Sequence, residues 1–189
     1  MRLKELPSKS VLDECFHLNM ETGVLVWKER PRSHFPTNRG WESFNGRLSG
    51  SIAGHSERKS KGVYVLIMGK AYAAHRIVWA MVNGDPGDFQ IDHIDRNPLN
   101  NCPSNLRIAT HSENARNCSG KKSSLGIKGV YMNTNGGLYC AKIRVNGKGM
   151  HLGSFPSKGL AAVAYAKASI KYHGRFAFFG QKFDKFLRK

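Results

Sequence analysis

An aspartate and a histidine stand side by side at Asp92 and His93, and clusters rich in asparagine follow them along the chain. A carboxylate oxygen together with an amide oxygen, such as that of Asn114, suits a hard divalent cation such as Mg²⁺. Histidine side chains titrate near neutral pH and can take a proton from water. A metal ion and a base are the parts needed for in-line attack on a phosphodiester. The full segment reads Ile91-Asp92-His93-Ile94-Asp95, Pro98-Leu99-Asn100-Asn101, Asn105-Leu106-Arg107 and Glu113-Asn114-Ala115-Arg116-Asn117.

Two short strands and a helix are expected to position these side chains. The apolar runs Ile91–Ile94 and Leu106–Ala109 bracket a polar loop, which predicts strand, loop, strand. A short helix then follows over 110–117, with Thr110 as its cap and Glu113 three residues later. Neighbouring side chains on a strand point to opposite faces, so the acid and the histidine can face one ligand only if the backbone bends there. Taken singly, each of these residues also fits an ordinary surface turn.

The clusters at these spacings resemble the signature of the HNH endonucleases, and in particular of their phage and intron-encoded branch. The resemblance implies a ββα-metal fold and a DNA product with a 5′-phosphate and a 3′-hydroxyl. It implies that His93 is the general base, that Asp92 and Asn114 are metal ligands, and that Asn105 braces the loop carrying His93. Other branches often have histidine where Asn114 stands. The implied ion is Mg²⁺, with Mn²⁺ as the alternative.

The region upstream of the motif also resembles this branch. Residues Asn19 to Trp27 look like its lead-in, and a helix over 75–82 begins with a histidine and an arginine. His75 and Arg76 could contact the phosphate backbone near the cut, or they could be a packed pair at the helix start. A helix over 8–18 and a hairpin over 62–74 are also predicted. From Arg30 to Ser60 the composition favours a basic, loop-rich segment that could order on DNA.

The charge of the chain points to a polyanionic partner. Its 189 residues carry a formal net charge of +17, and residues 119–189 hold 14 Lys and Arg against the single acid Asp184. The four cysteines form no C-x-x-C pair, so reduced thiols are expected, with Cys102 and Cys118 left open for zinc or a disulfide. No secretory signal or membrane span is expected. We therefore expect a cytoplasmic protein.

After a basic linker, the chain predicts three strands and a helix. The strands are expected over 127–133, 138–145 and 149–155, and the helix runs from Pro156 to about His173 with Gly174 as its cap. This order resembles the AP2 DNA-binding domain, whose sheet enters the major groove. Arg144 stands at a family arginine position, whereas Tyr131, Tyr139 and Lys142 replace the usual arginine, tryptophan and glutamate. The DNA target is therefore not transferable.

These observations predict an α+β chain, with an N-terminal ββα-metal HNH nuclease module and a C-terminal three-stranded antiparallel sheet packed on one helix. The expected domains are residues 1–118 (nuclease with its lead-in), 119–125 (basic linker), 126–180 (AP2-like) and 181–189 (basic tail). We predict a metal-dependent, homing-type endonuclease that acts on double-stranded DNA in a bacterial or phage-infected cytoplasm, as a monomer without a protein partner. The alternatives are a non-cleaving DNA-binding regulator and an RNA- or structure-directed nuclease. The expected site residues are His93, Asp92, Asn105 and Asn114 for catalysis, and His75, Arg76, Arg107, Arg116, Lys128, Lys142, Arg144, Lys148 and His151 for DNA contact.

Overall fold

A computed structural model describes residues 4–56, 62–117, 125–133 and 136–179. The chain forms two compact units, residues 1–110 and residues 111–189. Both contain helices and small antiparallel sheets, so the predicted α+β class is confirmed.

The first unit contains three small antiparallel sheets and three α-helices among its described residues. One sheet pairs β1 with β2, one has the order β3-β4-β5, and one pairs β6 with β7. In chain order the elements are α1 (Lys9–Cys15), β1 (Phe16–Leu18), β2 (Leu25–Trp27), α2 (Asn38–Leu48), β3 (His55–Ser56), β4 (Val63–Ile67), β5 (Lys70–Ala73), α3 (Ala74–Asn83), β6 (Gln90–His93) and β7 (Leu106–Ala109).

The predicted loop-rich character of the segment from Arg30 to Ser60 is wrong over α2. Thr37 caps this helix, since its hydroxyl accepts a hydrogen bond from the Gly40 amide. Phe44 lies on α2 and its ring packs edge-on against that of Trp27, with centroids 5.0 Å apart. Arg30 is only 4% exposed and its guanidinium lies 4.8 Å from the Phe44 ring centre, so this arginine packs inside the unit.

The core of the first unit anchors the hairpin of β6 and β7. Ile77 and Val78 of α3 and Val65 of β4 are fully buried in this core. Ile91 of β6 and Leu106 of β7 belong to the same cluster and are each 5% exposed. Burying an aliphatic side chain of this size contributes about 1.5–3 kcal/mol. The core therefore holds the strand pair on which the acid and the histidine stand.

The second unit contains α4 (His111–Asn117), β8 (Val130–Met132), β9 (Tyr139–Val145), β10 (Lys148–Phe155) and α5 (Lys158–His173). The strands form an antiparallel sheet in the order β10-β9-β8, and α5 packs against it. Ala141 and Ile143 of β9 and Ala161 and Tyr165 of α5 are buried in the shared core. Small alanine side chains let the helix lie close to the sheet, as the sequence pattern predicts.

Several expectations fall on residues outside the described part of the chain. They are the basic linker over 119–124, the tail over 181–189 and any role of Cys118. Cys15, Cys102 and Cys140 are free thiols. None of the helices in the described part is both long enough and apolar enough to span a lipid bilayer.

Candidate active site

Asp92 and Arg107 form a buried ion pair across β6 and β7. The two residues are directly opposed in the strand register, and opposed residues share one face of an antiparallel pair. The Arg107 Nε and Nη2 atoms donate to the Asp92 Oδ2 atom at 2.8 and 2.7 Å. The side chains are only 10% and 7% exposed. Arg107 was expected at the DNA, but here its guanidinium is engaged with the carboxylate expected to bind metal.

His93 is the last residue of β6, and the backbone bends immediately after it. The Arg96 amide donates to the His93 carbonyl at 3.0 Å, and Arg96 has a φ of 65°. The His93 side chain is buried, and its Nε2 atom lies 3.0 Å from the Asn101 Oδ1 atom. Asn101 is also buried, at 5% exposure. Asn101 lies in the predicted polar loop and had no predicted role. The available signal was its position as the second asparagine of the Leu99-Asn100-Asn101 cluster.

Asn105 holds the loop that follows His93. Its Nδ2 atom donates to the Asp95 carboxylate at 2.9 Å and to the Asn100 carbonyl at 2.8 Å. Its Oδ1 atom accepts from the Asp95 amide at 3.0 Å, and its carbonyl accepts from the Ile94 amide at 2.8 Å. Burial alone would raise the pKa of the Asp95 carboxyl, but the hydrogen bonds from Asn97, Asn100 and Asn105 outweigh it and lower that pKa.

His75 and Arg76 begin helix α3 and make contacts within the first unit. The His75 ring lies edge-on to the His93 ring with the centroids 5.0 Å apart. Burial, followed by the neighbouring His93 and Arg76, lowers the pKa of His75 to about 4, so this imidazole is neutral at pH 7. Arg76 donates to the carbonyls of Phe89 and Gly87 at 2.9 and 3.3 Å. These contacts fit the packed-pair alternative for the helix start.

Asn114 and Arg116 stand on α4 in the second unit, where both are partly buried. The Lys128 ammonium donates to the Arg116 carbonyl. Arg116 and Lys128 line a cavity of about 500 Å³, and no acid is found among the described residues that line it. His173 also lines this cavity, and burial lowers the pKa of its imidazole. A hydrogen bond to the Arg144 carbonyl raises this pKa, and the charges of Arg116 and Lys128 lower it. The net effect is a lowered pKa.

The sheet of the second unit brings several of the predicted DNA contacts onto one face. Lys142 is opposed to His151, and Arg144 to Gly149, so these side-chain positions share a face that bears exposed residues. Lys142 and Arg144 also line a second cavity of about 450 Å³. Lys148 is opposed to Val145, which stands on the other face. The structure therefore groups Lys142, Arg144 and His151 and leaves Lys148 apart.

Within the described residues, no three side chains of His, Cys, Asp or Glu gather to hold a metal ion. The sequence-based ligand set contains one carboxylate, that of Asp92, and the amide of Asn114. Such hard oxygen donors fit an ion that keeps most of its water.

Comparison with known proteins finds an HNH endonuclease domain within this chain. The family model described as HNH endonuclease matches residues 72–116, from β5 to α4. An uncharacterised HNH endonuclease of Acanthamoeba polyphaga mimivirus is 32% identical over 105 residues, which are 54% of each chain, so this chain spans about half of that relative's length. Protein 3.8 of Escherichia phage T7 is 35% identical over 112 residues, 58% of this chain and 92% of the phage protein.

No solved structure matches the chain at a significant level. The family match covers both strands of the β6–β7 hairpin, and the similarity to protein 3.8 extends over nearly the whole of that phage protein. The chain therefore contains an HNH endonuclease family domain over residues 72–116.

Proposed function

We propose that this chain is a metal-dependent, homing-type endonuclease that hydrolyses phosphodiester bonds in double-stranded DNA. The observation that carries the proposal is the buried hairpin of β6 and β7 within the family domain. There a carboxylate is held by Arg107 and a histidine is held by Asn101. A rigidly held acid and base at a strand end support hydrolysis more readily than a passive binding role.

His93 acts as the general base in this proposal. Its imidazole takes a proton from a water molecule, and the resulting hydroxide oxygen forms the new bond to phosphorus. The bond from phosphorus to the 3′-oxygen breaks, which leaves a 5′-phosphate and a 3′-hydroxyl. Asn105 keeps the loop after His93 in place through its bonds to Asp95 and Asn100. A fixed position for the base contributes to the rate because the reacting atoms need no further ordering.

Asp92 and Asn114 are the proposed ligands of the divalent ion, which is Mg²⁺ or, as the alternative, Mn²⁺. When bound, such an ion stabilises the charge that develops on the phosphate and on the leaving oxygen. Arg107 orients the Asp92 carboxylate through two bonds to a single oxygen, Oδ2. The proposed role of Arg107 is therefore to position a ligand.

The second unit is proposed to supply affinity for DNA through an AP2-like sheet. Lys142, Arg144 and His151 share one face, and Lys128 and Arg116 line the larger cavity. The only acid among its described residues is Glu113. Clustered cations without carboxylates favour contact with backbone phosphates. We propose that the protein acts as a monomer in the cytoplasm of a bacterial or phage-infected cell.

The shared face predicts which lysines matter for binding. We expect the double variant Lys142→Ala and Arg144→Ala to bind DNA more weakly. The plot of the logarithm of the binding constant against the logarithm of salt concentration should also become less steep by about two, one for each lost phosphate contact. The single variants Lys142→Ala and Lys148→Ala each remove one charge, and Lys148→Ala should change binding less because Lys148 stands on the other face. Titrations of labelled duplex DNA at several salt concentrations measure the affinity of each variant and its salt dependence. Equal losses in Lys148→Ala and Lys142→Ala would contradict the assignment of the face.

The proposed activity is tested with the full chain and supercoiled plasmid. We expect nicked or linear DNA in the presence of Mg²⁺ and intact plasmid when a chelator removes the ion. Direct sequencing of the cut ends should find 5′-phosphates. Tight, salt-sensitive binding without cleavage of plasmid or genomic DNA at any Mg²⁺ or Mn²⁺ concentration would overturn the proposal in favour of the DNA-binding regulator.

A further inference from the structure

We propose that Asn101 is a positioning residue that fixes the tautomer of His93. The turn of residues 19–23 holds the Asn101 backbone in place for this role. The catalytic consequence rests on the proposed function, in which His93 is the general base. The family match begins at residue 72, so this turn lies outside it.

The contact between the two side chains determines which imidazole nitrogen carries the proton. The Asn101 Oδ1 atom lies 3.0 Å from the His93 Nε2 atom. An amide oxygen can only accept a hydrogen bond, so the Nε2 atom must donate and carry the hydrogen. A neutral imidazole has one N–H, and the lone pair is then on Nδ1.

The Asn101–His93 contact is shielded from water. His93 is 9% exposed and Asn101 is 5% exposed. A hydrogen bond in such surroundings is stronger than one in water, and leaving a buried donor without its acceptor is correspondingly costly. The His75 ring lies edge-on to the His93 ring with centroids 5.0 Å apart, which further limits the rotation of the His93 imidazole. The Nε2–H tautomer should thus dominate over its alternative.

The turn before β2 supports the Asn101 backbone directly. Gly23 has a φ of +70°, and a Cβ atom added there would lie 2.0 Å from the Asn101 carbonyl oxygen and 2.6 Å from the Cys102 nitrogen. No side chain fits in that space. Asn19 builds the turn, because its Oδ1 atom accepts from the amides of Glu21 and Thr22 at 2.9 and 3.0 Å. The conformation of this turn therefore sets where the Asn101 loop can lie.

The tautomer is measured directly by NMR on the full chain labelled with ¹⁵N in histidine, without DNA or metal. The long-range ¹H–¹⁵N correlations of His93, at a pH where its ring is neutral, distinguish Nε2–H from Nδ1–H. We expect Nε2–H in the wild type, a mixture in Asn101→Leu, and Nε2–H in Asn101→Asp, whose carboxylate retains an acceptor. A wild type in the Nδ1–H form overturns the proposal whether or not any variant folds, and so does an Asn101→Leu spectrum unchanged from the wild type.

Cleavage provides the second readout. Loss of a side chain that orients a reacting group typically lowers activity about 10- to 100-fold. We expect Asn101→Leu to lower kcat to this extent with KM unchanged, and Asn101→Asp to recover part of the loss. Full activity in Asn101→Leu overturns the catalytic consequence. If His93→Ala cleaves like the wild type, the proposed function fails while the tautomer measurement still stands, so the two failures are distinguishable.

Gly23→Ala tests the support from the turn, with Gly69→Ala as its matched control. Gly69 has a φ of +74° and a Cβ atom there meets nothing within 4 Å. Both variants therefore carry similar backbone strain, but only Gly23→Ala displaces Asn101. We expect Gly23→Ala to reproduce the mixed tautomer and lowered kcat of Asn101→Leu, and Gly69→Ala to behave like the wild type. Equal behaviour of the two glycine variants overturns the role of the turn.

Discussion

Replacing His93 with alanine is expected to lower the rate of DNA cleavage by about 10²- to 10⁴-fold, the range that a general base contributes. The physical reason is that water is a poor nucleophile until its proton is removed, and the proposal gives this step to the His93 ring. DNA binding should be retained, because the proposed phosphate contacts lie on other residues. Single-turnover cleavage of a plasmid and a gel-shift titration measure the two quantities separately.

His17→Ala is the matched control for this substitution. His17 is an exposed histidine in β1 of the same unit, so its loss removes an imidazole without opening the core. We expect wild-type cleavage from this variant. A His93→Ala protein that folds, binds DNA and still cleaves at the wild-type rate would refute the assignment of the base.

The second large effect is expected at Asp92. Asp92→Ala leaves the Arg107 guanidinium buried without its carboxylate, and breaking a buried ion pair in this way costs about 3–5 kcal/mol of unfolding free energy. The Asp92 and Arg107 side chains are only 7% and 10% exposed, so the pair is buried and the cost of a buried ion pair applies. Cleavage should also be lost, because Asp92 is a proposed metal ligand. Urea unfolding and plasmid cleavage measure the stability and the chemistry.

A double variant separates the two roles of Asp92. Asp92→Leu with Arg107→Met replaces the ion pair with apolar side chains, which is often neutral for stability. We expect it to regain most of the unfolding free energy and none of the activity. Asp13→Ala serves as the control, since its ion pair with Lys9 is about half exposed and such surface pairs contribute roughly 0–1 kcal/mol. A stable but active double variant would exclude Asp92 from the chemistry.

Much of the local structure could be predicted from the sequence. The strands predicted over 138–145 and 149–155 correspond to β9 and β10, and the helix predicted from Pro156 to about His173, with Gly174 as its cap, corresponds to α5. These signals are local, because caps, turns and periodicity act over a few residues. The helix α2 was missed, because its glycines and polar residues resemble those of a loop. Phe44 of this helix packs against Trp27, and a contact between residues this far apart in the chain cannot be read from a local pattern.

The sequence by itself determined the chemistry available to this protein: an acid, a histidine and asparagines at the spacing of the HNH family, and a C-terminal third with almost no carboxylates. Only the tertiary structure decided which partner each of these side chains has. It paired Arg107 with Asp92 and placed the Asn101 side chain within hydrogen-bond distance of His93. It also placed Lys148 and Lys142 on opposite faces of the sheet. Residue types and spacing specify what a side chain can donate or accept. Strand register and burial decide what it meets, because they depend on contacts between residues far apart in the chain.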